Sequence, residues 1–399
     1  MKILTFSTLF PNTEKPGHGI FVETRLRHLV ASGQVESRVV APIGWFPSKH
    51  PRFGDYARLA KVPKSEVRHG LQVEHPRFPV IPKVGMNVAP FLLAQAARPR
   101  IARLLDEGYD FDLIDAHYFY PDGVAAAMLA RWFNKPLVIT ARGSDITLLP
   151  QYALPRRMIT WAAKRADAVI TVCNALREEV IALGVPGERV TSLRNGVDLQ
   201  LFRPGERTPN TSFTLLTVGH LVPVKAQELI IAALPLLPDA RLVVAGDGPN
   251  RGMLESLARE LKVETRVQFL GAVPQAQLRE HYNNADALVL ASSREGWANV
   301  LLESMACGTP VVASRVYGTP EVVAAPEAGV LMRERSPQGV ADAVDALRKN
   351  YPERAATRRY AEGFSWDDTS AGQLRLFGEV LARRAAHPDA QGVVVGSER

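Results

Sequence analysis

The sequence predicts an α/β protein made of two Rossmann-like domains, each a doubly wound parallel sheet. Short apolar segments with the length of buried strands alternate with helical segments along the chain. The 399 residues allow two domains, each with its own core. A polar linker at 202–212 interrupts the alternation, which then begins again. Because ligands bind beyond the carboxyl ends of parallel strands, we expect the two domains to face a central cleft.

In the first half, strand 2–6 leads through a glycine loop containing Gly17 and Gly19 into helix 20–32. A strand, a glycine loop and a helix in this order are typical of phosphate sites, although the G-x-G-x-x-G fingerprint is missing. The segment 44–90 is rich in proline and aromatic residues and contains a short strand around Val73. It is either an elaborated loop, or a functional segment that forms a wall of an acceptor site or a lip that touches a membrane.

The remaining elements of the first half place three more candidates at strand ends. His117 ends a strand, and Arg142 and Asp145 follow the next one, where they either line the cleft or pair with each other. The predicted strands are 38–42, 111–117, 136–140, 168–172 and 190–194, and the predicted helices are 88–107, one ending near 134, 155–166 and 174–183.

The second half repeats the alternation. His220 and Lys225 lie in the loop after strand 213–219, and a lysine there is a compact charge suited to a diphosphate. The predicted strands are 213–219, 240–245, 267–271, 287–291 and 329–331, and the predicted helices are 227–237, 250–261, 275–284, 337–349 and 367–384.

The stretch 293–314 reads as a loop, a short helix, a turn and a buried strand, with glutamates at 295 and 303. Asn299 is predicted to be the N-cap of the helix, and Gly296 allows backbone to approach a ligand closely. Free amides at a helix N-terminus attract anions, and Glu303 lies one turn further on, so the stretch suits a nucleotide sugar. The alternative is an ordinary amphipathic helix with a solvated glutamate at each end.

Composition excludes several other classes of protein. Hydrophobic content of 46% and charged content of 22% are typical of a folded soluble chain. Cys173 and Cys307 match neither a disulfide framework nor a metal site, which favours a reducing compartment. No signal peptide or membrane span is predicted, so we expect a protein that is cytoplasmic or attached only to a membrane surface.

Charge is distributed unevenly between the halves. Residues 1–198 carry 26 Lys+Arg against 18 Asp+Glu, whereas residues 199–399 carry 22 against 23. The basic half suits an anionic membrane surface or a lipid phosphate, and a solvated basic surface is the alternative. No nucleic-acid-binding motif accompanies the charge, so no nucleic-acid partner is expected.

The sequence resembles the retaining glycosyltransferases of family 4, which have the two-domain GT-B fold. The resemblance is carried by an ordered set of segments that covers nearly the whole chain. These segments are the glycine loop with Gly17 and Gly19, His117, Asn195-Gly196-Val197-Asp198, 218–225, Gly246-Asp247-Gly248-Pro249, Phe269-Leu270-Gly271, the E-x7-E run from Glu295 to Glu303, and Phe364-Ser365-Trp366.

The resemblance implies residue roles and domain boundaries. Residues 1–198, completed by a C-terminal helix at about 367–385, would form the acceptor-side domain, 199–366 the donor domain, and 386–399 a disordered tail. His117, Glu295 and Lys225 would be catalytic: Glu295 would bind the donor sugar, Lys225 the leaving diphosphate, and His117 the sugar beside the reaction centre. Glu303 would bind ribose, with further donor contacts from Gly17, Gly19, His220, Gly296, Trp297, Ala298, Asn299 and Val300, and with Arg142, Asp145 and Asn195 nearby.

The implied function is transfer of a hexosyl group from a nucleotide-diphosphate sugar, UDP- or GDP-linked, to a glycan or lipid-linked acceptor, with retention. No cofactor or metal is expected, because no D-x-D cluster follows a strand. The chain departs from many members at His220, where they have arginine. The alternatives are a sugar-nucleotide epimerase or hydrolase on the same fold, or a non-catalytic nucleotide-sugar-binding protein. The protein would be cytoplasmic and peripheral at the inner face of the plasma membrane.

Overall fold

The computed structural model of the chain describes residues 1–45, 50, 54–81, 85–207 and 211–386. The chain forms two compact units: unit 1 is Met1–Leu193 with the segment from Thr369, and unit 2 is Arg194–Asp368. The tail expected at 386–399 lies outside the described residues from position 387 on, as do parts of the segment 44–90 and of the linker.

Unit 1 contains ten strands among its described residues. They are β1 (Lys2–Phe6), β2 (Glu36–Val40), β3 (Ile43–Trp45), β4 (Ser65–Arg68), β5 (Leu71–Glu74), β6 (Arg77–Pro79), β7 (Leu113–His117), β8 (Leu137–Ala141), β9 (Ala168–Thr171) and β10 (Val190–Ser192). Eight of them form one sheet in the order β10-β9-β8-β7-β1-β2-β5-β4, and β3 pairs with β6. Strands β7 and β8 are buried at every position, and β8 is accordingly apolar except for Thr140, whereas β7 buries the polar Asp115 and His117.

The order of this sheet reverses at β1. The chain goes from β1 to β2 on one side, then crosses to β7 on the other side, and β7 is parallel to β1. The carboxyl ends of β1 and β7 therefore flank a topological switch point, the usual ligand position in such sheets. The glycine loop and His117 follow these two ends.

The edge of the sheet departs from the all-parallel expectation. The strand expected around Val73 is β5, and β4 pairs with it antiparallel. His69 and Gly70 connect the two strands with φ values of 48° and 82°, so both turn residues are left-handed, as a two-residue hairpin requires.

Helices cover both faces of the sheet in unit 1. They are α1 (Ile20–Ala31), α2 (Asp55–Leu59), α3 (Gly85–Asp106), α4 (Val124–Phe133), α5 (Ser144–Thr147), α6 (Ala153–Arg165) and α7 (Asn174–Ala182). One apolar cluster joins α3, α4 and α6 to the sheet, and a second joins α1 to β1, β2 and β5.

Unit 2 contains a six-stranded parallel sheet in the part that the structure describes. Its strands are β11 (Phe213–Val218), β12 (Ala240–Ala245), β13 (Val267–Gly271), β14 (Ala287–Leu290), β15 (Val311–Ala313) and β16 (Gly329–Leu331). Their order is β13-β12-β11-β14-β15-β16, which is the 3-2-1-4-5-6 order of dinucleotide-binding folds. The switch point lies between the carboxyl ends of β11 and β14.

Among the described residues of unit 2, five helices overlap predicted helices and two were not predicted. They are α8 (Gln227–Ala233), α9 (Arg251–Glu260), α10 (Gln275–Asn284), α11 (Asn299–Ala306), α12 (Thr319–Val322), α13 (Pro337–Lys349) and α14 (Arg354–Glu362). Helix α14 was not expected, because its sequence is rich in arginine. The helix buries only Thr357 and Ala361, so it has no long apolar pattern.

The last helix, α15 (Trp366–Ala386), returns the chain to unit 1. Leu376, Phe377 and Val380 join the apolar cluster around α1 and β1. Gly372 approaches Leu193 so closely that a Cβ at this position would lie 2.6 Å from its Cδ2. The C-terminal helix is therefore an integral part of the core of unit 1.

Candidate functional site

Glycine backbone brings the loops after β11 and β12 close together beside the switch point of unit 2. A Cβ placed on Gly246, after β12, would lie 1.9 Å from the carbonyl oxygen of Gly219, after β11. The amide of Gly219 in turn donates to the Ala245 carbonyl at 3.0 Å. No side chain fits at Gly246, whereas Gly219 is explained by its φ of 147°, which residues with a side chain rarely adopt.

Lys225 and Glu295 meet at this switch point. Lys225 ends a 3-10 turn after β11, and its Nζ lies 2.6 Å from Oε1 of Glu295, which follows β14. The amide of Ser293 donates to the carbonyl of Val224 at 2.8 Å and fixes one loop to the other. The side chains are 25% and 10% exposed, so the pair remains accessible to a ligand. Positive charge that is held beside accessible backbone suits an anion.

Helix α11 begins one residue earlier than its sequence suggested. The N-cap is Ala298, with φ −86° and ψ 88°, and no described side chain caps the helix. Asn299 is the first helical residue, and its Oδ1 accepts a hydrogen bond from Asn195 Nδ2 at 3.2 Å. The prediction that Asn299 is the N-cap is therefore wrong, because Asn195 engages its side chain. An uncapped N-terminus leaves amides that can bind an anion.

The residues around this N-terminus differ in exposure. Gly296 and Val300 are half-buried, whereas Trp297 and Ala298 are buried. The ring of Trp297 lies 6.1 Å from that of Phe364, and its buried Nε1 has no hydrogen-bond partner among the described residues. Trp297 thus packs the loop against the end of unit 2 and offers an unused donor.

Glu303 is 7% exposed, and both of its carboxylate oxygens accept hydrogen bonds. Gln275 Nε2 donates to Oε1 at 2.9 Å, and the Tyr282 hydroxyl donates to Oε2 at 2.8 Å. Burial raises the pKa of Glu303, and these two hydrogen bonds oppose that shift because they stabilise the charged form. The carboxylate is therefore oriented by α10.

No hydrogen bond joins the side chains of His220 and Lys225 among the described residues. Its side chain is exposed, and Nδ1 lies 2.9 Å from the carbonyl oxygen of Asp247, so Nδ1 carries a proton. Its own carbonyl accepts a hydrogen bond from Gln227 Nε2 at 3.0 Å. The loop after β12 thus fixes the imidazole through Nδ1.

In unit 1, His117 is buried and both of its ring nitrogens are engaged. Arg142 Nη2 lies 2.7 Å from Nδ1, and Asp115 Oδ2 lies 3.2 Å from Nε2. A guanidinium only donates, so Nδ1 accepts and Nε2 carries the proton. Burial, reinforced by the charge of Arg142, lowers the pKa of His117, whereas Asp115 opposes the shift. The imidazole is held neutral as the Nε2–H tautomer.

A buried polar chain extends from His117 to the C-terminal helix. Gln373 Nε2 donates to Asp115 Oδ2 at 3.0 Å, and Arg25 Nε donates to Gln373 Oε1 at 2.9 Å. Arg25, Asp115 and Gln373 are each no more than 2% exposed. Helices α1 and α15 therefore support the strand end that presents His117.

Arg142 and Asp145 do not form the side-chain pair that one reading of the sequence predicted. The Asp145 carboxylate accepts amide hydrogen bonds from Arg142, Gly143 and Phe119, the last two at 2.7 and 2.8 Å. The Arg142 guanidinium instead contacts His117, and burial lowers its pKa to about 9. Asp145 shapes the loop, and Arg142 belongs to the histidine network.

The glycine loop of unit 1 contains one constrained glycine and one open glycine. Gly19 precedes α1 with φ 68°, and a Cβ there would lie 2.3 Å from the carbonyl of Leu9. Gly17 is exposed and has no atom within 4 Å of such a Cβ. Only Gly19 is required by the fold, so the open side of Gly17 is available to a ligand.

Sequence reasoning missed the residues that orient the candidates. Asp115 lies two positions before His117, and this spacing on a strand places both side chains on one face. Gln275 and Tyr282 are seven apart, on one face of α10. Both spacings were visible in the sequence. Gln373 and Arg25, which are 348 positions apart, carried no such signal.

The described residues contain neither a candidate metal site nor a candidate membrane span. No group of three or more His, Cys, Asp or Glu side chains there is placed to hold a metal ion. No helix among the described residues has both the length and the apolar character needed to cross a bilayer.

Two family models match the chain. Residues 17–201 match "Glycosyltransferase Family 4", and residues 200–364 match "Glycosyl transferases group 1". D-inositol 3-phosphate glycosyltransferase from Mycobacterium tuberculosis strain H37Rv is 31% identical over 328 residues, which cover 73% of this chain and 68% of that protein.

Solved structures of similar fold cover nearly the whole chain. Sucrose-phosphate synthase from Thermosynechococcus elongatus has a TM-score of 0.79 at 20% identity, covering 96% of this chain and 99% of that one. Anabaena Alr3699/HepE in complex with UDP has a TM-score of 0.70 at 22% identity, covering 95% and 100%. The same Anabaena protein is also known in complex with UDP-glucose. The expected pair of Rossmann-like domains is confirmed.

Proposed function

Since the chain belongs to the family 4 glycosyltransferases of GT-B fold, we propose that it transfers a hexosyl group from a nucleotide-diphosphate sugar to a glycan or lipid-linked acceptor with retention of configuration. The observation that carries the proposal is the accessible Lys225–Glu295 pair beside the uncapped end of α11. Both features lie after the strands that flank the switch point of unit 2.

The donor would bind by exchanging partners at this pair. Lys225 would turn from Glu295 to the diphosphate, and the amides from Gly296 to Val300 would contact the phosphate and the sugar. Glu295, released from Lys225, would accept hydrogen bonds from the sugar hydroxyls. A partly exposed ion pair contributes only about 0–1 kcal/mol, so the exchange costs little.

Leaving-group stabilisation would then provide most of the catalysis. Negative charge grows on the diphosphate as the glycosidic bond breaks, and donors already directed at it need no reorganisation. Lys225 and the amides of α11 supply such charge, so we propose that transfer needs no divalent cation. Full activity in excess chelator is the expected result. Loss of activity that only a divalent ion restores would contradict the proposal.

Uridine is the nucleoside we propose first. The Anabaena protein of similar fold is known with UDP and with UDP-glucose. A panel of UDP-, GDP- and ADP-sugars, compared by protection against thermal unfolding, would identify the base. We expect a UDP-sugar to give the largest shift.

The decisive experiment compares donor turnover in Lys225→Ala and Glu295→Ala with wild type. Each should lower transfer at least tenfold, because each removes one side of the donor-binding pair. Lys349→Ala, which alters an exposed lysine on α13, is the matched control and should transfer normally. Near-wild-type transfer in both site variants would refute the assignment. Consumption of the donor without an acceptor would favour a sugar-nucleotide hydrolase or epimerase. Tight binding of the donor without turnover would favour a non-catalytic nucleotide-sugar-binding protein.

We further propose that the protein is cytoplasmic and peripheral at the inner face of the plasma membrane. Cys173 and Cys307 are buried thiols, as suits a reducing compartment. At the start of α6, Tyr152 and Leu154 are 50% and 45% exposed and stand beside the exposed Arg156 and Arg157. Exposed apolar and basic side chains together suit an anionic lipid surface.

Co-sedimentation with phosphatidylglycerol vesicles tests this location. Arg156→Glu with Arg157→Glu should abolish binding, and phosphatidylcholine vesicles should not bind the wild type. The pair Arg333→Glu with Lys349→Glu makes the same charge change on exposed positions of unit 2 and should bind normally. Equal binding by both double variants would contradict a surface at α6.

A further inference from the structure

Two side chains of α10 hold the Glu303 carboxylate from one side. Gln275 and Tyr282 lie two turns apart on this helix, and each donates one hydrogen bond to a different oxygen of Glu303. The Tyr282 ring is fully buried and packs edge-on against Phe202, with centroids 5.8 Å apart. A rigid ring therefore places the hydroxyl, and the hydroxyl places the carboxylate.

The two protein donors occupy about half of the acceptor positions of the Glu303 carboxylate and leave the other half for a ligand. An ionised carboxylate has about four acceptor positions, of which Gln275 and Tyr282 use two. One position on each oxygen is left, and two neighbouring hydroxyls of a ligand can donate to both oxygens at once. A neutral carboxyl would instead present a donor on one oxygen, so both contacts require the charged form.

We propose that Tyr282 and Gln275 are positioning residues that make the site selective for ribose over 2′-deoxyribose, by holding Glu303 as a double acceptor for the 2′ and 3′ hydroxyls. This inference rests on the proposed function, in which Glu303 binds the ribose of the donor. A 2′-deoxyribose fills only one of the two acceptor positions, and the other is then buried without a partner. Sites built to bind a hydroxyl reject analogues that lack it for this reason.

Loss of the Tyr282 hydroxyl would weaken this selectivity without removing the ring. Tyr282→Phe retains the ring contact with Phe202, so the packing of α10 at this position is preserved. The Oε2 atom then loses its fixed partner, and the carboxylate can rotate or become protonated. Ribose would then keep only one of its two hydrogen bonds to Glu303. A 2′-deoxyribose makes only one such bond in the wild type, so its affinity should change less. Gln275→Met makes the equivalent change on Oε1 with a side chain of similar length.

Calorimetric titration with UDP, GDP and ADP and with their 2′-deoxy counterparts tests the inference in the full chain. For the ribonucleotide that binds most tightly, we expect the wild type to prefer ribose at least tenfold. Tyr282→Phe should lower that ratio at least fivefold while changing the affinity for the 2′-deoxy form less than threefold, and Gln275→Met should act in the same direction. Tyr351→Phe is the matched control, because that hydroxyl donates to the Asp286 carbonyl and not to Glu303.

The outcomes separate this inference from the proposed function. Tight binding without ribose preference, or a preference unchanged in both Tyr282→Phe and Gln275→Met, would overturn the inference alone. Preference lost as expected in a protein that transfers no sugar would support the inference and count against transfer. Absence of binding to all three ribonucleotides would overturn both. In an active enzyme, the positioning role also predicts a raised KM for the donor with kcat nearly unchanged in Tyr282→Phe.

Discussion

Gln373→Met tests whether the buried polar chain of unit 1 stabilises the fold through its hydrogen bonds. Gln373 is 1% exposed and joins two charged partners, accepting from Arg25 and donating to Asp115. Methionine has nearly the same length and fills the same space, so packing is retained. The substitution leaves a buried guanidinium and a buried carboxylate each with one partner fewer.

The expected loss follows from the charges of the two partners. A hydrogen bond to a charged group contributes about 1.5–3 kcal/mol, so the loss of two should lower the free energy of unfolding by about 3–6 kcal/mol. The whole free energy of unfolding of a folded domain is about 5–15 kcal/mol, so the urea concentration at which unit 1 unfolds should be clearly lower in the variant. Gln373→Glu should also destabilise, because a second carboxylate would face Asp115, and this loss should shrink as acid protonates the new side chain.

Urea unfolding followed by fluorescence and circular dichroism measures the effect, and two transitions are to be fitted because two units can unfold separately. Gln338→Met on α13 is the matched control, since the exposed Gln338 amide bonds only to Asp342 among the described residues. It should stay within about 0.5 kcal/mol of wild type. A Gln373→Met protein as stable as this control would refute the reasoning.

Two further predictions concern pH and backbone contact. Burial raises the pKa of Asp122 to about 7, so the stability that this group contributes is fully present below about pH 4 and is lost as pH rises through about 7. The free energy of unfolding of Asp122→Asn, relative to that of wild type, should therefore increase as pH rises from 4 to 8. Denaturant titrations would measure this difference, and a difference independent of pH would contradict the raised pKa of Asp122. Gly246→Ala should cost at least about 3 kcal/mol by its clash with the Gly219 carbonyl, whereas Gly252→Ala, on an open face of α9, should gain about 0.5–1 kcal/mol. Thermal unfolding would measure the stability of both glycine variants, and equal effects would contradict the close contact between Gly246 and the Gly219 carbonyl.

The sequence was informative where a pattern is local and silent where the fold joins distant residues. Helix 275–284 and strand 267–271 match their predicted bounds, because apolar periodicity and proline or glycine at the ends determine them. The N-cap assigned to Asn299 failed because Asn195, 104 positions earlier, takes its side chain. The contact of Gln373 with Asp115 spans 258 positions and depends on where the last helix packs.

The two units place their candidate residues at the same point of the same kind of sheet, yet the side chains there differ in what they can do. In unit 2, Lys225 and Glu295 are partly exposed and bonded mainly to each other, so a ligand can replace either partner at little cost. In unit 1, His117 is buried, and its two nitrogens are held by Arg142 and Asp115. Breaking those contacts would leave buried charge without a partner, which is expensive. Substitutions at Lys225 should therefore impair transfer with little change in stability, whereas those at Asp115 should first destabilise unit 1.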